Sequence, residues 1–253
     1  MAIPGEHGGW SLTAEPVLLG LLVAWSWPGL ALGLGALVAF VARTPLKVIL
    51  VDRQRNRWLE RTTLAARIVS VEAVALVVLG LLATLGAGLE TEFWLPLVLA
   101  SPLIVLELWY DMRSRSRRLI PELAGTIGIG SVAAAIALAG GSTRLVGLGL
   151  WCIVAARSLA AVAYVRAQIQ RTRPEPGPTW PSDAAQLMAV VIVVVGWLTD
   201  AVPAAAAFVI GLLAIIHLSG LRTPPRRAAL IGIQQMVLGL AVVIVTAAAV
   251  TAS

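Results

Sequence analysis

The stretch LVAFVARTPLKVILVDRQRNRWLERTTLAARIVSVEAVALVVLG, residues 37–80, runs from an apolar segment through a block of cations into a second apolar segment. The block carries Arg43, Lys47, Arg53, Arg55, Arg57, Arg61 and Arg67. A basic side chain held at a bilayer centre costs roughly 2.5–3.5 kcal/mol on insertion scales, so such a block belongs beside a membrane and the segments around it inside one. The pattern recurs along the chain. Arg113, Arg115, Arg117 and Arg118 form a second group, Arg157, Arg166, Arg171 and Arg173 a third, and Arg222, Arg226 and Arg227 a fourth. Eighteen of the nineteen Lys and Arg residues therefore follow even-numbered apolar stretches, and Arg144 is the exception. Because cytoplasmic loops retain positive charge, this spacing predicts a multi-pass membrane protein with its N-terminus in the cytoplasm.

Composition agrees. With 59% hydrophobic residues, 13% charged residues and a mean hydropathy of +0.91, a chain of 253 residues has more apolar surface than a water-soluble core can hide. The pI near 10.9 could point to nucleic acid, but the cations occupy short loops between apolar stretches, not a groove or an arm. Anionic membrane lipids are the expected partner and nucleic acid is not. Cys152 stands alone in an apolar run, which leaves no intrachain disulfide and reads as a packed thiol. Met1 to Glu15 contains two Glu and no Lys or Arg, unlike a secretory signal, so the first apolar stretch is expected to remain in the mature protein.

The fold class expected is all-α, one transmembrane helical domain over residues 1–253 with about nine spans. The apolar stretches lie near 12–26, 28–42, 67–86, 93–110, 120–139, 144–165, 184–200, 203–219 and 228–251. Tryptophan supports the threading: Trp25, Trp27, Trp94 and Trp197 fall at one predicted boundary and Trp10, Trp58, Trp109 and Trp180 at the other, as interfacial belts do. Residues 44–66 mix Leu46, Ile49, Leu50, Trp58 and Leu59 with cations, which predicts a helix lying on the membrane surface. Residues 167–183 hold four prolines and a glycine and read as irregular. An internal echo is also present. Ala42-Arg43-Thr44 aligns with Ala156-Arg157-Ser158, and beyond Pro45 the run Leu46 to Arg53 matches Leu159 to Arg166 in spacing, while Pro16 and Gly20 match Pro121 and Gly125. This predicts two parallel four-helix repeats with a ninth helix appended.

Candidate functional residues are the polar groups inside apolar stretches. An acid within a span is expensive unless it is paired or faces a cavity, which singles out Glu15, Glu72, Glu107, Asp111 and Glu122. Glu6 and His7 precede Glu15 in the opening segment PGEHGGW and form a candidate proton-handling pair. Glu107 and Asp111 are four apart and share a helix face. Arg43 and Arg157, with Arg53 and Arg166 beyond them, offer planar forks suited to a phosphate or carboxylate, and their repeated spacing points to anion binding. The competing reading is snorkelling to the interface. His217, Gln234 and Gln235 are the remaining polar groups in apolar surroundings, with hydrogen bonding between helices as their ordinary use. No metal set and no cofactor follow from the residues.

The segment EHGGW with Glu15-Pro16, RTPL at 43–46, Arg118 with PELAG at 121–125 and ARSLAAVAYVR at 156–166 together resemble the YwiC-like family of bacterial membrane proteins. The polar clusters following the second and sixth stretches also look like the UbiA superfamily of intramembrane prenyltransferases. That resemblance implies a 4+4+1 helical bundle and two Asp-rich motifs holding magnesium and a prenyl diphosphate. Here the corresponding segments read RTPLKVILVDRQRNR and ARSLAAVAYVRAQIQR, with Asp52 as their one acid, so the magnesium-diphosphate site does not carry over. The function expected is a UbiA-like protein with a cytoplasm-facing polar pocket acting on, or binding, an isoprenoid, a quinone or a lipid-linked anion. Arg43, Arg53, Arg157 and Arg166 would hold the anionic head, and Glu15, Glu107, Asp111, Glu122 and His7 would orient the partner or move a proton. The alternatives are a transporter or an accessory subunit of a membrane complex.

Overall fold

The structure, a computed structural model, describes residues 7–88, 90–113, 118–175, 177–225 and 227–252. Among these lie nine helices: α1 His7–Val23, α2 Trp27–Gln54, α3 Glu60–Ala87, α4 Trp94–Met112, α5 Leu119–Ala139, α6 Arg144–Arg171, α7 Trp180–Leu198, α8 Ala204–Leu221 and α9 Ala228–Thr251. Helices are the natural outcome, since in lipid each backbone N–H and C=O must find its partner within the segment. Eight of the nine are long and apolar enough to cross a membrane, and α1, with 17 residues, is shorter. Local chemistry fixes their starts. Ser26 caps α2 by accepting from the Gly29 amide at 3.0 Å, and Thr143 caps α6 by accepting from Val146 at 3.3 Å.

Three boundaries differ from expectation. Residues 44–66 form no surface helix: α2 continues through Pro45 to Gln54 and α3 begins at Glu60. The cause is length. Helices of 28 residues span about 42 Å against a hydrocarbon core of about 30 Å, so α2 and α6 carry their last turns, and α3 its first, out of the lipid with polar sequence on them. Asp52, fully buried in the last turn of α2, then closes the connection by accepting from Arg57 Nε and Arg61 Nη2, each at 2.8 Å, and from Thr62 Oγ1 at 2.8 Å. For the same reason α6 extends to Arg171, and with α7 starting at Trp180 the irregular connection shrinks to residues 172–179. The first helix begins at His7, ahead of the apolar stretch expected from residue 12.

At the centre stand α5 and α6. The former packs against α1, α2, α4 and α6, the latter against α1, α5, α7, α8 and α9, whereas α3 leans on α2. Small residues permit this density: Ala133, Ala137, Leu19, Leu150, Val154 and Val243 form one buried cluster, and a Cβ on Gly20 would come within 2.7 Å of Ile136 Cβ. α2 contacts α1, α3, α4 and α5, and α6 contacts α1, α5, α7, α8 and α9. The bundle's two ends differ in chemistry. One gathers the arginine-rich connections with Trp10, Trp58, Trp109 and Trp180; the other carries Trp25, Trp27, Trp94 and Trp197 and an exposed Arg144–Glu92 ion pair, which accounts for the one basic residue outside the four groups.

Candidate functional site

The polar residues of the spans assemble into two clusters toward the arginine-rich end. In the first, Arg43 of α2 meets the two acids of α4. Its Nη1 lies 2.5 Å from Glu107 Oε1, its Nε donates to Asp111 Oδ2 at 2.9 Å, and Lys47, one turn on, reaches Asp111 Oδ1 at 3.4 Å. The i, i+4 spacing of Glu107 and Asp111 presents both carboxylates to a single guanidinium. Glu107 can sit there only because residue 125 of α5 is glycine; a Cβ at that position would overlap the carboxylate. Two cations and two anions balance, at the point where α4 leaves the membrane. Arg166 of α6 pairs separately with Glu122 of α5 at 2.8 Å, both half-buried.

The second cluster is deeper and drier. Arg157, 2% exposed, lies midway along α6 and is met directly from α1 and α9 and, through Gln235, by a chain that runs on to α8 and α7. From α1, Glu15 Oε1 lies 3.4 Å from Nη2; from α9, the Gln235 carbonyl accepts from Nη2 at 2.7 Å and its side-chain Oε1 accepts from Nη1 at 3.3 Å. Gln235 Nε2 then reaches His217 Nε2 of α8 at 2.9 Å, and His217 Nδ1 reaches Gln186 Oε1 of α7 at 3.1 Å. Gln186 Nε2 in turn donates to the Ala160 carbonyl at 2.9 Å. Donors and acceptors fix the imidazole's state. Gln235 Oε1 and Gln186 Oε1 are both acceptors, so Gln235 donates to Nε2 and Nδ1–H donates to Gln186: the ring is neutral, protonated on Nδ1. Tyr164 stacks on it at 4.2 Å between centroids and 9° between planes. Gln168, one turn along α6, donates to Tyr164 Oη at 2.9 Å and to the Gly220 carbonyl at 3.0 Å.

Glu15 and Gln235 stand about 12 Å and about 10 Å along α1 and α9 from their arginine-end termini, by helical rise. The network therefore lies inside the apolar bundle, where a charge must be paired and a polar group bonded. Five atoms break that rule: among the described residues, the buried Arg157 Nε, Ser158 Oγ, Ser182 Oγ, Glu72 Oε2 and Thr246 Oγ1 have no hydrogen-bond partner.

The predicted residues thus separate. Glu15, Arg157, His217 and Gln235 come together, as do Arg43, Glu107 and Asp111, and Arg166 joins Glu122. The two forks expected to share an anion, Arg43 and Arg157, each face carboxylates of their own. Arg53 is exposed in the last turn of α2, Gln234 is partly exposed beside Gln235, and Glu6 and the His7 side chain lie outside the described residues. Sequence reading missed Gln186, Tyr164 and Gln168. Each left a signal: Gln186 is an uncharged hydrogen-bonding side chain inside an apolar stretch, and Tyr164 and Gln168 are spaced i, i+4.

The profile described as YwiC-like protein matches residues 3–137, just over half of the chain. The chain belongs to the YwiC-like family. The YwiC-like match takes in α1 to α4 and nearly all of α5, and with them Glu15, Arg43, Glu107, Asp111 and Glu122; it ends before Arg157, His217 and Gln235. No curated protein and no solved structure matches this YwiC-like chain.

Proposed function

We propose that this YwiC-like protein is UbiA-like in arrangement and takes the anionic head of an amphipathic isoprenoid, quinone or lipid-linked molecule into polar surroundings reached from the cytoplasmic leaflet, with its N-terminus in the cytoplasm. The observation that carries this reading is the placement of the buried polar groups. They run from the arginine-rich end to the level of Arg157, and they come from matching helices of the two echoing halves: an arginine on α2 faced by acids of α4, and an arginine on α6 linked through Gln235 to the histidine of α8. A ligand with a charged head and an apolar tail fits such a gradient, the head among guanidinium groups and the tail along apolar helices. Polar groups gathered in one half favour a site entered from one leaflet over a path through the whole bundle.

The test is to identify, by mass spectrometry, what the full chain carries through mild detergent purification. A co-purified amphipathic anion that disappears from the Arg43→Gln/Arg157→Gln double variant is the expected result. Identical lipid content in both proteins would leave the arginines as structural counter-ions. The continuous Glu15–Arg157–Gln235–His217–Gln186 series favours a second reading, a proton-linked permease. That reading predicts proton uptake by reconstituted vesicles that Glu15→Gln abolishes.

A further inference from the structure

The ion pairs of this protein are unequal in a way that runs against their surroundings. Arg43 makes its closest approach to a carboxylate at 2.5 Å and Arg166 at 2.8 Å, both in half-exposed positions where water weakens attraction. Arg157 is the fully buried arginine and would gain most from tight pairing. Yet its contact with Glu15 involves one carboxylate oxygen at 3.4 Å, and its Nε–H is left without a partner among the described residues. The opposite side of the same guanidinium is held firmly: Gln235 accepts from both terminal nitrogens, and His217 and Gln186 hold Gln235 in turn. The fork is thus rigid toward α9, α8 and α7 and under-occupied toward α1.

Resting on the reading of the site as an anion-head site, we propose that Arg157 alone among the arginines is the ligand-receiving fork, and that Glu15 is a displaceable internal counter-ion occupying its place in the absence of ligand. The ligand head this geometry selects is a single anion with two oxygens able to span Nε–H and Nη2–H, a carboxylate or a phosphate monoester. Such a head makes the bidentate contact that Glu15 does not. A diphosphate with its several charges lacks the counter-ion here, since the other charged partners of the second cluster amount to none: Gln235, His217 and Gln186 are neutral. On this account Arg43, saturated by Glu107 and Asp111, is a structural element of the α2–α4 contact.

The experiment is equilibrium binding of two probes, farnesyl monophosphate and oleate, to the full chain in nanodiscs of phosphatidylcholine. The wild type is compared with Glu15→Gln, Arg157→Lys and Arg43→Lys. If Glu15 fills the fork nine times in ten, removing its charge should tighten the preferred probe by about tenfold, because apparent affinity scales with the competent fraction. Arg157→Lys should lose that binding and Arg43→Lys should keep it. The probe that responds tells phosphate from carboxylate. Equal affinity of wild type and Glu15→Gln, or a loss in Arg43→Lys matching that in Arg157→Lys, overturns the displaceable counter-ion while the anion-head site stands. Binding of neither probe to wild type or to Glu15→Gln overturns both. Glu15→Gln preserves shape, and a monodisperse gel-filtration profile establishes that the variant is folded.

Discussion

Gly239 of α9 lies directly beneath the Glu15 carboxylate of α1, so close that a Cβ at position 239 would overlap Oε1. The notch holds an acid of the first helix against the last, and the same device recurs between Gly125 and Glu107. Gly239→Ala should therefore destabilise the fold by about 1–3 kcal/mol, the usual cost of overpacking. Gly232, on the same helix with open space around its would-be Cβ, is the internal comparison. Its replacement by alanine should be neutral or stabilising by up to ~1 kcal/mol through helix propensity. Thermal unfolding of the two variants in one detergent distinguishes a specific notch from a general intolerance of α9.

Gln235 connects a cation to a neutral imidazole, accepting from Arg157 and donating to His217. Gln235→Leu keeps the bulk, leaves Nη1 and the imidazole Nε2 unpaired in an apolar setting, and should cost about 1–3 kcal/mol. Replacing His217 as well, by Phe, removes one of the stranded groups. The double variant should then be less destabilised than the sum of the singles, and strict additivity in a double-mutant cycle would show that the hydrogen bond carries no coupling.

Asp52 gathers Arg57, Arg61 and Thr62 around one buried carboxylate at the α2–α3 connection. Asp52→Asn removes the charge and one acceptor oxygen, so both guanidinium groups lose their anchor. The connection at residues 55–59 should then be cut by trypsin markedly faster, at Arg55 or Arg57, in vesicles that expose the arginine-rich face. Unchanged cleavage would mean that Thr62 and the helix ends suffice to hold the turn.

Glu175 and Glu90, both exposed, sit in connections at opposite ends of the bundle. In a chain with Cys152 replaced by Ala, cysteine at 175 should react with an impermeant maleimide in inside-out vesicles, and cysteine at 90 in intact cells. Labelling of both from one side would contradict the nine-helix threading. Exchanged sidedness would place the arginine-rich end outside the cell.

Sequence reading found the helices through their apolar stretches and the common end through its arginines, because bilayer transfer acts on each residue separately. It misjudged α2, α3 and α6 for the same reason: hydropathy measures the thickness of lipid crossed, while the helix runs on wherever backbone bonding continues. Pro45 lies inside α2, where one missing N–H is tolerated in a helix whose neighbours support it. Within the site, Glu107 and Asp111 were readable as a pair from their spacing alone. That Glu15 meets Arg157 was not readable, since that contact depends on α1 lying against α6 and α9. Gln235 was readable as an amide in an apolar stretch, but Gln186 and Tyr164 were not read beside it, although neutral groups complete a buried network as effectively as ions do.

The Glu15–Arg157 contact joins residues 142 positions apart. As the chain leaves the ribosome, α1 enters the translocon with its acid and spends the synthesis of four further helices in lipid before its counter-ion emerges. Glu15 must pass that interval as a neutral, protonated acid. Nascent chains arrested after α5 should accordingly hold α1 less firmly than chains arrested after α6, making the sixth helix the step at which membrane insertion becomes irreversible.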